Sequence, residues 1–428
     1  MGKIANKAKK LRLSAAKFLK IVPERQKKIE NAGAGDVKPL RDYKPNALAA
    51  ELHPQVQYVK ITDVRQLAPD VKLIRLSPDK DKNCFRLAPF APGQCVSVEV
   101  VIEGVSHERP YSVSSSPLEG YYEIIVKREP EGLVSGFIHD NWSVGTEARV
   151  SGPFGEFSYN PLRDARHVIG VAGGIGITPM RSMIKAIRDG FSDHTLTLLY
   201  GVRTEEDIVL RDELDEAAGT PGISVVYVLS GDRSRSDLPG TAESPDRKDG
   251  FERGFIDAEL IRKYAPENEP YSVFAAGPDA MYRFLDGELP KLSLRKKFIR
   301  FDFRGEPADP EKYSEYQAAR EEQGCAQNPG IFRITVRQGG NIFAAECPHN
   351  VTIMKALEYA GMIIPSRCRS GECGYCHTRV ISGKYFTAPD RDGRRKADTI
   401  YNYVHPCVTF PLSDMEIELG GGTRGSGK

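Results

Sequence analysis

The chain has 428 residues, 40% hydrophobic and 28% charged, with 60 Lys and Arg against 58 Asp and Glu. That length exceeds one core and implies roughly two to four domains. No apolar run approaches the roughly 20 residues that cross a bilayer, no secretory signal is expected, and eight cysteines are too few for a disulfide scaffold, so cytoplasmic residence follows.

Residues 1–30 carry ten basic side chains against Glu24 and Glu30. Ile4, Ala8, Leu11, Ala15, Phe18 and Val22 recur at three- and four-residue steps, the period of one helix face, until Pro23 interrupts them. A basic amphipathic helix of this kind suits an anionic lipid surface or an acidic partner. A loosely ordered, solvated tail is the alternative reading. Asn31 to Asp36 then reads as a flexible linker, so 1–50 is taken as extension and linker.

From residue 51 the pattern is strand-like. Val56–Ile61, Val71–Leu76, Cys95–Val100 and Tyr121–Val126 are β-branched or alternating runs separated by turn signals, which predicts a small antiparallel barrel over 51–160. Three phrases punctuate it: Arg109-Pro110-Tyr111-Ser112, Gly132-Leu133-Val134-Ser135 before a helix-like run, and Ser151-Gly152-Pro153-Phe154-Gly155-Glu156-Phe157.

Buried-type strands His167–Ala172, Thr195–Tyr200, Ile223–Val228 and Tyr271–Ala276 alternate with helical segments, predicting an α/β domain with a parallel sheet over 161–305. Gly173-Gly174-Ile175-Gly176-Ile177-Thr178-Pro179 joins the first strand to a helix. There glycines admit a pyrophosphate close to the backbone, and the helix N-terminus favours its charge. The spacing is not G-x-G-x-x-G.

Taken in this order, the motifs resemble those of the ferredoxin–NADP reductase family. The resemblance implies FAD in the barrel domain: Arg109 on a flavin phosphate, Tyr111 against the isoalloxazine and Ser112 near N5. Gly132, Val134 and Ser135 would then serve the pyrophosphate. It also implies a nicotinamide nucleotide on Gly173, Gly174, Gly176 and Thr178, with Arg203 at the adenosine ribose and Ala276-Gly277-Pro278 beside the nicotinamide. Ala276 departs from the family, which usually has cysteine there, and its loss is expected to slow hydride transfer or favour one direction. Asp302, in Phe301-Asp302-Phe303, stands where relatives often place an acid near the flavin; an ordinary strand carboxylate is the alternative. NADH is expected over NADPH because no second basic residue stands beside Arg203.

Residues 306–330, rich in Pro, Glu and Gln, read as a linker. Beyond it, Cys368-x4-Cys373-x2-Cys376, thirty residues, then Cys407 is the spacing of a plant-type 2Fe–2S centre. Zinc is the weaker reading because only one C-x2-C pair is present. Ile364 to Cys376 resembles the cluster loop of plant-type ferredoxins, implying an α+β, β-grasp-like domain over 331–420 with these four ligands. Cys84, Cys95, Cys325 and Cys347 have no matching role.

Nicotinamide gives two electrons as hydride, a 2Fe–2S cluster takes one at a time, and flavin does both. The expected function is therefore an NAD(P)H-dependent reductase passing single electrons to a protein acceptor. That acceptor would be an oxygenase, a hybrid-cluster or other redox metalloprotein, or a quinone- or lipid-associated partner. Arg367, Arg369 and His377 around the ligands mark the expected partner-facing surface. A non-enzymatic ferredoxin-type carrier with a vestigial flavin module and a membrane-linked NADH dehydrogenase are the alternatives.

Overall fold

A computed structural model describes residues 23–25, 27–28, 43–52, 54–130, 132–231, 251–307, 309–322, 330–362 and 364–419. Most of the basic periodic stretch, residues 1–22, lies outside the described residues, as does Cys325. Within Met1–His53, Lys44–Leu52 forms a helix with no buried residue, where the sequence predicts linker. No helix among the described residues is long and apolar enough to cross a membrane.

The first sheet of Pro54–Lys428 holds β1 (Gln57–Ala68), β2 (Val71–Pro78), β3 (Cys95–Ile102), β4 (Val105–Ser112), β5 (Tyr122–Lys127) and β6 (Glu147–Phe154), in the order β4-β3-β6-β1-β2-β5. Every pairing is antiparallel. A bridge between Val113 and Ile124 joins the residue after β4 to β5, bringing the two edges together as a barrel. Its interior is apolar and tightly packed, with Val59, Ile74, Val98 and Ile124 fully buried.

The second sheet is parallel throughout: β7 (His167–Gly173), β8 (Thr195–Val202), β9 (Ile223–Leu229), β10 (Glu252–Arg253), β11 (Tyr271–Ala276) and β12 (Ile299–Phe301), ordered β10-β9-β8-β7-β11-β12. β7 and β11 are buried at all but their first residues, as expected of parallel strands covered on both faces. In the helix Ile177–Arg188 only Lys185, Ile187 and Arg188 escape full burial. Its Met180, Met183 and Ile184 share one apolar cluster with Val71, Leu73 and Ile125 of the barrel.

The third sheet has β13 (Ile331–Gln338), β14 (Asn341–Pro348), β15 (Thr378–Ser382), β17 (Tyr403–Val404) and β19 (Met415–Leu419), ordered β14-β13-β19-β15-β17, with a small companion pair, β16 (Tyr385–Thr387) and β18 (Thr409–Pro411). β13 and β19 run parallel; the other pairings are antiparallel. The helix Ile353–Tyr359 packs beside β14.

The Pro- and Glu-rich segment expected as linker is ordered where it can be described. It forms a helix, Ser314–Glu322, whose buried side chains are Tyr316 and Arg320. Tyr316 is fully buried, 5.2 Å from the Phe386 ring, and its hydroxyl donates to His349 O at 2.8 Å. The polar composition of this stretch concealed those buried side chains.

Candidate active site

One cavity of about 490 Å³ gathers motifs that are far apart in sequence. Arg109, Tyr111 and Ser112 reach it from β4, whose register sets Val98 opposite Arg109 and Val96 opposite Tyr111. Gly132, Val134 and Ser135 reach it from the first turn of the helix Leu133–Asn141. Gly132 is required there: a Cβ would stand 2.5 Å from Ser135 Oγ. That hydroxyl is already held by Glu129 N–H at 3.1 Å. Burial pushes the Tyr111 phenol up, keeping it neutral as an apolar face.

The nucleotide motif forms the facing wall. Gly176, Thr178 and Gly277 line the cavity, together with Tyr282. A Cβ on Gly176 would lie 1.9 Å from Ala276 O, so this turn packs backbone to backbone on the end of β11. Thr178 Oγ1 donates to Ile175 O at 2.8 Å, and Gly277 N–H donates to the Tyr282 hydroxyl at 3.1 Å. Gly173, Gly174, Ala276 and Pro278 belong to the same two turns but do not line the cavity. Arg203 is exposed beyond β8, away from it.

Asp302 lies where barrel and parallel sheet meet. Its N–H donates to Ala275 O at 2.9 Å, its Oδ1 accepts from Phe303 N–H at 2.8 Å, and its Oδ2 accepts from Ser112 Oγ at 3.0 Å. Burial raises the carboxyl from 3.8 to about 6, against the lowering effect of the Phe303 and Ser112 hydrogen bonds.

The cysteine loop closes the third side, and Cys368 lines the cavity itself. Cys376 Sγ stands 3.5 Å from Cys407 Sγ, and the Cys368 and Cys373 thiols lie close enough to interact with each other. Backbone N–H groups of Ser370 and Cys373 approach Cys368 Sγ at 3.5 and 3.4 Å, and Tyr375 N–H approaches Cys373 Sγ at 3.5 Å. Gly371, at φ +78°, leaves no room for a side chain: a Cβ would meet Arg391 O at 2.1 Å. Among the described residues no three His, Cys, Asp or Glu close into a mononuclear metal site. Two thiol pairs around positive-φ glycines fit a binuclear centre better, since each iron of a 2Fe–2S cluster completes its shell with two thiolates.

Residues 58–159 match the oxidoreductase FAD-binding domain, 171–286 the oxidoreductase NAD-binding domain and 336–412 the 2Fe–2S iron–sulfur cluster binding domain. The glycine betaine monooxygenase reductase subunit of Chromohalobacter salexigens is 28% identical over 359 residues, 82% of this chain and 94% of that one. The solved structure of phthalate dioxygenase reductase, described as modular for electron transfer from pyridine nucleotides to 2Fe–2S, aligns with a TM-score of 0.57 at 25% identity, over 85% of this chain and 97% of that one. NADH-cytochrome b5 reductase 1 of Dictyostelium discoideum is 35% identical over 212 residues, 48% of this chain and 68% of that one. The chain belongs to the ferredoxin–NADP reductase family. It carries a 2Fe–2S domain at its C-terminus, and its cofactors are FAD, a nicotinamide nucleotide and a 2Fe–2S cluster.

Several residues of this reductase's cavity were not among those expected to touch a cofactor. Lys355 and Tyr359 come from the helix Ile353–Tyr359, Cys95 from β3, and Glu306 and Arg369 from flanking loops. Arg109 meets Glu358 of that same helix, Nη2 to Oε2 at 3.3 Å, and Arg369 shares the same carboxylate oxygen, Nη2 to Oε2 at 2.9 Å. Arg369 also pairs with Glu306.

This corrects the expected partner face. Arg369, at φ +53°, is turned inward and buried, because two carboxylates hold its guanidinium. Arg367 lies 4.1 Å over the Tyr375 ring, and His377 stacks on Tyr403 at 3.9 Å while bonded to Asp398. The exposed residues of the loop are Glu372, Cys373 and Tyr375.

Proposed function

We propose that this reductase supplies single electrons to an oxygenase component that docks on the cluster loop around Glu372, Cys373 and Tyr375. The observation that carries the reading is the shared cavity, in which the Arg109–Ser112 strand, the Gly176–Thr178 turn and Cys368 bound one space. When bound, the nicotinamide supplies hydride, the flavin divides it into single electrons and the cluster carries them out. The chain's part is to hold these groups within reach of one another. Arg109 offers a fixed fork for phosphate, Tyr111 an apolar ring, and Gly132 to Ser135 the N-terminus of the helix Leu133–Asn141. Ser112 and Asp302 form a hydrogen-bonded pair at the barrel–sheet junction able to move a proton. Cys368, Cys373, Cys376 and Cys407 are the proposed cluster ligands. Cys84, Cys95 and Cys347 form no disulfide and are not among the proposed ligands.

The oxygenase reading draws on two relatives whose names make them reductases of oxygenases. NADH is the proposed donor, and a preference of at least about tenfold for NADPH in steady-state kinetics would oppose it. The modules are proposed as 51–160, 161–305 and 331–420, in a cytoplasmic protein. Residues 1–30 are proposed to strengthen contact with an acidic partner or membrane surface; deleting 1–35 should weaken that association and spare diaphorase activity. Anaerobic purification and absorption spectroscopy test the core reading. Flavin and cluster bands that bleach with NADH are expected, and a cluster spectrum without flavin would support a simple carrier.

A further inference from the structure

The flavin cavity is walled partly by the iron–sulfur domain. Lys355 and Tyr359 line it from one face of the helix Ile353–Tyr359, four residues apart, with Lys355 Nζ 5.6 Å from the centre of the Tyr359 ring. The helix is fastened at this place. Glu358 is 7% exposed and held between Arg109 of the barrel and Arg369 of the cysteine loop. One turn further on, a Cβ on Gly361 would stand 3.9 Å from Val105 of β4. Lys355 and Tyr359 are therefore rigidly presented beside Arg109, yet Tyr359 leaves 65% of its surface exposed. An anchored helix showing an ammonium and an open aromatic ring to a cofactor cavity is built for a ligand bearing a phosphate and a flat heterocycle.

We infer that Lys355 and Tyr359 bind the adenosine monophosphate half of FAD, the ammonium taking its phosphate and the ring stacking on its adenine. The inference rests on the FAD reading above and adds that the flavin site is completed by the iron–sulfur domain. It follows that these two residues discriminate FAD from FMN, which lacks that half.

Dissociation constants for FAD and FMN, measured on the full-length protein by quenching of flavin fluorescence, test it without reference to turnover. Tyr359→Ala and Lys355→Ala should each weaken FAD about tenfold, while FMN affinity stays within about twofold, since stacking one base on an aromatic side chain contributes an effect of that order. Tyr359→Phe should retain FAD affinity. Both positions are exposed, so cluster absorbance and the thermal midpoint of the flavin-free protein should be unchanged in all variants. Unaltered FAD affinity in both alanine variants overturns the inference, and so does an equal loss for FMN. A wild-type protein that binds neither flavin would instead overturn the FAD reading itself.

Discussion

Ser112 Oγ donates a 3.0 Å hydrogen bond to Asp302 Oδ2, joining the last residue of the flavin-barrel hairpin to the residue after β12, 190 positions later. The pair ties two domains together at the cavity, and burial has moved the carboxyl into a range where a modest pH change alters its charge.

Asp302→Asn tests that pair. The variant should slow flavin reduction by NADH roughly 10- to 100-fold in stopped flow, if the carboxyl acts as a proton-transferring group. The wild-type rate should break near pH 6 and the variant should not. Stability moves in the opposite sense. Between about pH 3.8 and 6 the folded protein keeps a proton that the unfolded chain has released, so this group makes the fold less stable as pH rises through that window. Thermal melts should show a shallower decline across it in the variant.

Arg181 is the electrostatic pin between barrel and parallel sheet. It is 3% exposed and reaches Glu123 at 2.7 Å and Glu213 at 2.7 Å. Glu123 is itself fully buried, with Arg75 at 2.9 Å and Arg65 at 3.4 Å as further partners. Arg181→Ala should cost about 3 kcal/mol in guanidinium unfolding, because a buried carboxylate loses its deepest counter-charge. The double variant Arg181→Met, Glu123→Gln should recover part of that loss.

Gly176→Ala should damage nucleotide binding selectively. A methyl group 1.9 Å from Ala276 O cannot be relieved by a side-chain rotation, so two backbone turns must separate. The KM for NADH should rise at least about tenfold while bound FAD and cluster absorbance stay constant; an unchanged KM would remove this turn from the nucleotide site.

Ala276→Cys places a thiol at the end of β11, at a position only 1% exposed. Flavin reduction by NADH should accelerate severalfold if the missing thiol explains a slower hydride step. An unchanged stopped-flow rate would make the alanine neutral.

The glycine turns and the cysteine loop were legible in the sequence because their chemistry is local. Gly176 and Gly371 hold fixed places in those short motifs, although the backbone that leaves no room for a side chain comes from elsewhere, Ala276 O and Arg391 O, and the four cysteines stand at a spacing that can be read directly. Strand type was legible for a similar reason: β7 and β11 read as continuous apolar runs because both faces of a parallel sheet are covered. The linker reading over 306–330 fell short because composition averages a segment, whereas two buried side chains, Tyr316 and Arg320, fasten its helix.

By itself, then, the sequence determined the three cofactor chemistries and the class of fold around each, since these depend on residue types a few positions apart. Only the tertiary structure decided how the three meet. The Arg109–Glu358 contact spans 249 residues, Ser112–Asp302 spans 190, and the inward turn of Arg369 depends on carboxylates from two other segments. Such pairs form when separately folded surfaces dock and exclude water from their charges, and no periodicity or spacing along one chain records which surfaces will face each other.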